Sequence, residues 1–374
     1  MIVGVPKEIK ENEGRVGMTP SQVGQLIKNK HSVLVERGAG VLSGFTDVEY
    51  RKAGAQIKPS AQEVYKKAEL IVKVKEPLEK EYSLLQQGQT VFTYLHLAAA
   101  GKLLDTLLKK RITGIDYATV RTAEGRLPLL EPMSEITGRL APQIGARLLE
   151  KHRGEGKGVL LSGTSNVAPG VVVIIGGGVV GRYSTMIASG MGARTILLEK
   201  NPDKVTQLKK DFEKSINVQV MVSSPATIAK YIKDADMVVG AVLVPGGKAP
   251  KVITKTMVKT MKKDSVFVDV AIDQGGCAET SHVTTHANAT FRVFDVIHYG
   301  IPNIPSLVPA TATRALTDRT FPYVKLLVQK GIEKAVKHDS SLAEGVNTYA
   351  GKITYKRLAE DFRKAFTPIT TLIG

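Results

Sequence analysis

The fold is decided by Ala168-Pro169-Gly170-Val171-Val172-Val173-Ile174-Ile175-Gly176-Gly177-Gly178-Val179-Val180-Gly181. The apolar run predicts a buried strand, the glycines predict a tight turn, and the residues that follow predict a helix. Gly176, Gly178 and Gly181 have the G-x-G-x-x-G spacing, in which the first glycine permits the turn, the second lets a pyrophosphate approach the backbone, and the third lets the helix pack on the strand. The free N–H groups at the N-terminus of that helix would then bind phosphates.

The residues after this helix strengthen the prediction of a dinucleotide site over a purely structural turn. A second short strand, Thr195–Leu198, ends in Glu199, an acid placed to accept hydrogen bonds from an adenosine ribose. A 2′-phosphate would meet that carboxylate, so Glu199 favours NAD over NADP. Arg194 and Lys200 flank Glu199 and leave this preference open.

Length and composition indicate a globular protein with two domains, because 374 residues are many for a single core. The N-terminus reaches charged residues at once and no apolar stretch is long enough to span a membrane, so we expect a cytoplasmic protein without a membrane partner. Cys277, the single cysteine, excludes an intrachain disulfide. The net charge of +17 comes from scattered lysine pairs, which predicts attraction of small anions and no nucleic-acid binding.

Strands and amphipathic helices alternate along most of the chain, which predicts an α/β fold with parallel sheets. Residues 2–117 supply one set, and residues 171–296, including a strand over Phe291–Val296, supply a doubly wound sheet of their own. The strongly helical segment Thr313–His338 is expected to return and pack on the first part. The first domain would then be discontinuous.

Four ionisable residues stand where the pattern otherwise places apolar residues or a turn. Lys75 shares one face of a predicted strand with Lys73, which fits either a lysine-protected edge strand or a lysine facing a ligand crevice. His96 closes an apolar strand, as a satisfied core histidine or as a general acid or base. Arg15 is either a solvated loop residue or a bidentate ligand of a carboxylate. Asp273 ends a predicted strand before Gly275-Gly276, which is either an ordinary bend of the chain or a turn that presents the carboxylate to orient water or take a proton.

No cluster has the spacing of metal ligands. His282 and His286 are close in sequence, but their surroundings indicate a loop, and we expect no zinc site.

Several blocks together are similar to one enzyme family, and with them the chain resembles the alanine dehydrogenases over nearly its whole length. The blocks are Gly4–Glu8 with Glu13–Val16, Val72–Pro77, Leu95–Ala98, Pro132–Glu135 with Gly138–Leu140, Ala241–Gly246 and Asp269–Gly276.

The resemblance implies reversible oxidative deamination of L-alanine by NAD to pyruvate, ammonia and NADH. It implies that Arg15 and Lys75 bind the substrate, that His96 is the acid/base group, and that Asp273 handles water and proton transfer. It also implies two Rossmann-like domains, 1–131 with 310–374 and 132–309, a catalytic cleft between them, and a homohexamer. The cofactor contacts it implies, together with those of the glycine turn, are Ser134, Gly176, Gly178, Val179, Val180, Gly181, Glu199, Lys204, Ser223, Val242, Leu243 and Asn303.

The chain departs from the family pattern at Ala118, where a glutamate is expected, and this leaves the role of that position open. Two other functions remain as alternatives. The NAD-binding component of a proton-translocating transhydrogenase has a similar fold, but it does not need an arginine, lysine and histidine together at an alanine site. Another amino-acid dehydrogenase, for instance one for lysine, would require a longer side-chain pocket.

Overall fold

The structure is a computed structural model that describes residues 1–151, 155–242 and 248–373. Two compact units make up the chain. Unit 1 consists of Met1–Met133 with Ser306–Gly374, and unit 2 of Ser134–Pro305. We propose that these units correspond to the two domains expected from the sequence. Within the described ranges, no helix is both long and apolar enough to cross a membrane.

The N-terminal part of unit 1 alternates short strands with helices. Pro20 begins the first helix directly after Thr19, whose backbone N–H donates to Gln22 Oε1 at 2.9 Å. Such a contact satisfies a backbone group near the helix end, and proline is well suited to the first helical position. The elements are β1 (Ile2–Val5), α1 (Pro20–Lys28), β2 (Ser32–Glu36), α2 (Asp47–Lys52), β3 (Gln56–Lys58), α3 (Ala61–Lys67), β4 (Leu70–Val72), α4 (Glu79–Tyr82), β5 (Thr90–Thr93), α5 (Gly101–Lys109) and β6 (Thr113–Asp116).

Unit 2 contains the strand, glycine turn and helix that the opening stretch predicts. In its first strand, Val172 and Ile174 join one apolar cluster, whereas Val173 and Ile175 join another. Alternate residues of a strand point to opposite faces, so both faces of this sheet are covered. The elements are α6 (Glu131–Leu149), β7 (Val171–Ile175), α7 (Val179–Gly190), β8 (Arg194–Glu199), α8 (Pro202–Asp211), β9 (Val218–Val222), α9 (Pro225–Ile232), β10 (Met237–Gly240), α10 (Lys255–Lys259), β11 (Val266–Asp269), β12 (Thr290–Val293) and β13 (Val296–Tyr299).

The C-terminal segment returns to unit 1 and completes its sheet. Its first strand pairs antiparallel with β6, aligning Val346 with Ile115. The elements of this segment are α11 (Pro309–Lys330), α12 (Ile332–His338), α13 (Ser340–Gly345), β14 (Val346–Tyr349), β15 (Lys352–Ile353) and α14 (Lys356–Asp361).

Each unit has one sheet that is parallel except at an edge. The strand order is β15-β14-β6-β5-β4-β1-β2-β3 in unit 1 and β12-β13-β11-β10-β7-β8-β9 in unit 2. In unit 1 the order reverses at β1, which lies between β4 and β2. In unit 2 it reverses at β7, which lies between β10 and β8. The predicted class, two doubly wound Rossmann-like α/β units, is confirmed. Ligands of such sheets bind at the carboxyl ends of strands beside these reversals.

Three predicted strands are shorter in the structure, which moves candidate residues from strands to turns. The strand predicted to carry Lys73 and Lys75 ends at Val72, and the strand predicted to extend to His96 ends at Thr93. Residues 270–274 form a 3-10 turn instead of continuing β11, and Asp273 lies on this turn. The apolar pattern continues past each strand because turn residues such as Val74 and Leu95 are themselves buried.

Two further element predictions were wrong. The strand expected over Phe291–Val296 is broken by a hairpin bend: residues 291–293 belong to β12, Val296 begins β13, and Phe294 and Asp295 form the bend with φ of 51° and 63°. The helix expected over Thr313–His338 begins earlier, at Pro309, and breaks at Gly331, where φ is 73°. Positive φ favours glycine and ends a helix.

Candidate active site

Arg15 lies inside unit 1, so the solvated loop position that is the default for an arginine was wrong. It is 2% exposed. Its Nε donates to Glu13 Oε1 at 2.7 Å, its Nη2 donates to Glu13 Oε2 at 2.5 Å, and its Nη1 faces Met133 Sδ at 2.9 Å. Burial alone would lower the pKa of Arg15, but the Glu13 carboxylate outweighs burial and raises it. The guanidinium is therefore a fixed cation in a desolvated position.

Lys73 and Lys75 differ in environment, and neither protects a sheet edge. The strand before them, β4, is internal, between β5 and β1. Lys73 is fully buried, with Nζ 2.9 Å from Glu81 Oε1 and 3.4 Å from Glu8 Oε2. Burial would lower the pKa of Lys73, but the two carboxylates raise it. Lys73 is thus part of an internal ion cluster.

Lys75 occupies a turn that this cluster holds in place. Glu8 Oε1 accepts hydrogen bonds from the backbone N–H groups of Val74 at 2.7 Å and Lys75 at 3.4 Å. The carbonyl of Lys75 accepts from Thr93 Oγ1 at 2.9 Å. The Lys75 backbone is therefore fixed on both sides, next to the carboxyl end of β4.

His96 follows β5 in the left-handed conformation, with φ 49° and ψ 36°. Its Nδ1 lies 3.1 Å from Glu76 Oε2, and its ring stacks on Tyr94 with the centroids 5.9 Å apart. The Asp116 carboxyl, at the end of β6, accepts backbone hydrogen bonds from Leu95, His96 and Ala118. Burial raises the pKa of Asp116, while the charge of His96 opposes this rise. The ring of His96 is therefore in contact with Glu76, which follows β4, and with Tyr94, which follows β5.

These three candidates of unit 1 share one edge of its sheet. Arg15 follows β1, Lys75 follows β4 and His96 follows β5, and these strands are neighbours. Because the strands are parallel, their carboxyl ends meet at the same edge. Arg15, Lys75 and His96 therefore follow strands beside the strand reversal, the part of such a sheet at which ligands bind.

The glycine turn of unit 2 has the backbone that a dinucleotide requires. Gly176 has φ 102°, and a Cβ at Gly181 would lie 1.8 Å from the carbonyl oxygen of Gly176. A Cβ at Gly178 would meet no atom within 4 Å. Two of the glycines are therefore needed for the turn itself, whereas Gly178 leaves open space at the N-terminus of α7. A cradle of this kind fits the pyrophosphate of a dinucleotide.

Glu199 lies at the end of β8, next to this turn. Its Oε2 accepts from the Gly177 N–H at 2.7 Å, and its Oε1 accepts from the Asn201 N–H at 2.8 Å. Lys204 Nζ is 3.9 Å from Oε2. The backbone contacts fix the carboxylate beside the cradle, and each of its oxygens retains a lone pair that can accept a further hydrogen bond.

The remaining candidates of unit 2 follow its other strands. Ser223 follows β9 and donates its backbone N–H to Glu199 O at 2.8 Å, and Val242 follows β10. Asp273, an exposed residue of the 3-10 turn after β11, accepts from the Asn303 N–H at 3.2 Å. Val179 and Val180 begin α7, and Ser134 lies in the first turn of α6. Leu243 lies outside the described residues. Of the candidates that the structure describes, those of this unit other than Ser134 therefore follow strands at the edge that holds the glycine turn.

Sequence reasoning missed the carboxylates that hold the basic side chains. Glu8, Glu13 and Glu76 each bind a candidate residue or its backbone. The available signal was their place within the same short motifs as Arg15, Lys75 and His96. Ala118, where the family pattern suggests a glutamate, contributes a backbone N–H to Asp116 Oδ1 at 2.9 Å. In the part of the chain that the structure describes, no group of three His, Cys, Asp or Glu side chains could hold a metal ion.

Comparison with known sequences identifies one family for both parts of the chain. Residues 4–137 match the description "Alanine dehydrogenase/PNT, N-terminal domain", and residues 141–356 match "Alanine dehydrogenase/PNT, C-terminal domain". The alanine dehydrogenase of Methanococcus maripaludis is 49% identical over 369 residues, which cover 98% of each chain.

Solved structures give the same result for the fold. An L-alanine dehydrogenase structure superposes with a TM-score of 0.93 and 46% identity, covering 97% of this chain and 99% of the other. A transhydrogenase from Sinorhizobium meliloti superposes with a TM-score of 0.81 at 24% identity, covering 96% and 100% of the two chains. The second likeness is one of fold alone.

Proposed function

The chain belongs to the alanine dehydrogenase/PNT family, and we propose that it catalyses the reversible NAD-dependent oxidative deamination of L-alanine to pyruvate and ammonia. It is an amino-acid dehydrogenase of a family whose members use pyridine nucleotides. The observation that supports the proposal is the position of Arg15, Lys75 and His96 after three adjacent strands, in a chain nearly half identical to an alanine dehydrogenase.

Arg15 and Lys75 are proposed to bind the substrate. Arg15 is buried and held rigid by Glu13, so it loses little freedom when it binds the carboxylate of alanine or pyruvate. Lys75 would hold the carbonyl or imine centre, on a backbone that Glu8 and Thr93 already fix. A prepared site of this kind lowers the entropic cost of orienting the substrate.

His96 and Asp273 are proposed to move protons. The imidazole removes a proton from the substrate ammonium, because only the free amine can become an imine as Cα is oxidised. Water then adds to the imine carbon, and the resulting carbinolamine loses ammonia to give pyruvate. Asp273 would orient that water and accept its proton, from an exposed position that the Asn303 N–H steadies. The nicotinamide supplies the hydride acceptor when the cofactor is bound.

We propose that the cofactor is NAD and that the glycine turn and Glu199 hold it. The open space at Gly178 and the N-terminus of α7 suit the pyrophosphate, and the fixed carboxylate of Glu199 suits a ribose with a free 2′-hydroxyl. The further contacts proposed are Ser134, Val179, Val180, Lys204, Ser223, Val242, Leu243 and Asn303.

The reaction is tested by mixing the purified protein with NAD and L-alanine at alkaline pH and following NADH absorbance. L-lysine, L-serine and NADP serve as parallel controls. We expect NADH formation with alanine and NAD. Cofactor binding without turnover of any amino acid would contradict the proposal and favour a transhydrogenase-like module.

We also propose that the protein works in the cytoplasm as a homohexamer, as the family resemblance implies. Light scattering coupled to size-exclusion chromatography measures the oligomer mass. A monomer at working concentration would contradict this part of the proposal.

A further inference from the structure

We propose that Glu76 is a positioning residue that binds Nδ1 of His96, so that Nε2 is the ring nitrogen that exchanges protons with the substrate. The proposal deepens the function above and rests on it, because it assumes that His96 is the acid/base group. Glu76 lies outside the strands and has no role in the predictions made from the sequence.

The two oxygens of Glu76 have different partners. Oε2 lies 3.1 Å from His96 Nδ1, and Oε1 accepts from Lys10 Nζ at 2.5 Å. Burial alone would raise the pKa of Glu76, but hydrogen bonds from His96 and Lys10 outweigh burial and lower it to about 2. Glu76 is therefore an anion throughout the neutral and alkaline range. An anion at this distance accepts a proton from Nδ1, which leaves the lone pair of the neutral ring on Nε2.

The geometry fixes the ring and keeps one side accessible. The Glu76 side chain is 13% exposed, whereas that of His96 is 45% exposed. The ring is stacked on Tyr94, with an interplanar angle of 22°. With one nitrogen bound and one face covered, Nε2 is the polar atom left for a ligand. This is the arrangement a general base needs, because its reactive atom must be directed as well as basic.

Hydrogen bonds fix the backbone of the turn before Glu76 and the backbone of His96. Glu76 follows Lys75 directly, on the turn that Glu8 holds through two N–H groups. His96 adopts a left-handed conformation that costs a non-glycine residue energy and persists only when its surroundings impose it. The Asp116 carboxyl imposes it by accepting the backbone N–H of His96. The turns after β4 and β5 thereby place the Glu76 carboxylate against the His96 imidazole.

The charged and titratable groups that face His96 come from three strand ends. They are Glu76 after β4, Tyr94 after β5 and Asp116 at the end of β6, with Lys10 acting through Glu76. Asp116 is engaged with backbone N–H groups, and burial raises its pKa, so Glu76 is the stronger partner for the imidazolium. Removing the charge of Glu76 should destabilise the imidazolium, and removing Lys10 should stabilise it.

The first experiment measures kcat/KM for L-alanine against pH in E76Q, K10M and the control E79Q. Glutamine keeps the size of Glu76 and removes its charge. We expect the rise of kcat/KM with pH to move to lower pH by about one unit in E76Q, with kcat lowered about tenfold or more. In K10M the midpoint should move to higher pH by roughly half a unit. Glu79 is exposed and pairs with Lys102, so E79Q should leave the profile unchanged.

Opposite shifts in E76Q and K10M distinguish electrostatic positioning from a general loosening of the fold, which would lower rates without moving the midpoint. Coincident midpoints in wild type and E76Q would overturn the proposal, while loss of turnover in H96A would leave the proposed function intact.

A second experiment does not depend on turnover. Diethyl pyrocarbonate modifies the unprotonated imidazole, and peptide mass spectrometry separates His96 from the other histidines. The modification midpoint of His96 should follow the same shifts in E76Q and K10M even if the protein oxidises no amino acid. An unchanged midpoint in E76Q would overturn the pairing.

Discussion

At the scale of single residues, unit 1 buries charges that a reading of the chain places at the surface. Arg15 has Glu13, and Lys73 has Glu8 and Glu81. Burying an unpaired ion costs several kcal/mol, whereas a pair with good geometry restores most of that cost. The carboxylates therefore decide where these cations lie. Glu13 is only two residues from Arg15, whereas Glu8 is far from Lys73 in the sequence.

Replacing Arg15 tests carboxylate binding. The variant R15K keeps the charge and loses the planar fork that matches a carboxylate, so we expect KM for pyruvate to rise about tenfold or more. The control R37K alters an exposed arginine and should leave KM unchanged. Equal KM values in R15K and wild type would count against the assigned role, provided that both unfold at the same denaturant concentration.

Replacing Lys73 tests the internal ion cluster. In K73M the carboxylates of Glu8 and Glu81 lose their buried cation, and we expect the free energy of unfolding to fall by about 3–5 kcal/mol. The matched variant K66M removes an exposed lysine of α3 and should change it by less than about 0.5 kcal/mol. Urea unfolding measures both. A small loss in K73M would mean that the cluster contributes little.

At the scale of elements, the glycine turn shows which part of a motif serves the fold and which part serves a ligand. Gly181 is packed against the Gly176 carbonyl, whereas Gly178 faces open space. Gly176 and Gly181 are therefore required by the backbone of the turn, whereas Gly178 leaves space in which a ligand can approach the backbone. The three-glycine spacing alone does not distinguish these two requirements.

The pair G178A and G181A separates these requirements. Gly178 has φ −65°, which alanine adopts without strain. We expect G178A to keep the stability of the wild type within about 0.5 kcal/mol and to weaken NAD binding about tenfold, because its Cβ fills the space for the pyrophosphate. G181A should lose stability as well as NAD binding. Calorimetric titration and thermal unfolding measure the two effects, and unchanged NAD affinity in G178A would contradict the proposed cradle.

Replacing Glu199, at the end of β8, tests the preference for NAD over NADP. The variant E199Q keeps an oxygen that can accept the Gly177 N–H and removes the charge that would repel a 2′-phosphate. We expect the ratio of kcat/KM for NAD to that for NADP to fall about tenfold or more. E213Q, at an exposed position in the same unit, is the control. If NADP use stays absent in E199Q, another group sets the preference.

At the scale of the whole molecule, the net charge of +17 acts on every anion that approaches. Long-range attraction raises encounter rates and is screened within about 10 Å at 0.1 M salt. We expect kcat/KM for pyruvate to fall several-fold as KCl is raised from about 10 mM to about 500 mM. L-alanine, a zwitterion without net charge, should show a weaker dependence. Equal salt effects on the two substrates would exclude steering by net charge.

The sequence alone determined the alternation of strands and helices through most of the chain, the glycine turn after β7, the acid at the end of β8 and the basic residues that became the candidates of unit 1. These features are local: apolar periodicity, glycine spacing and helix caps act between residues that are near in the chain. The segments predicted as strands extend into turns because Val74, Leu95 and Ala271 are buried although they lie outside the sheets.

Only the tertiary structure decided which residues meet. The pairing of β14 with β6 joins Val346 to Ile115, and the Glu76 contact joins two turns after different strands. Short strands with polar residues such as Asn347 and Thr348 have no strong periodicity, so their pairing depends on the sheet they complete. The burial of Lys73 likewise depends on Glu8, a carboxylate 65 residues away that folding brings beside it. Local patterns specify elements, whereas contacts between distant residues exist only after the elements pack.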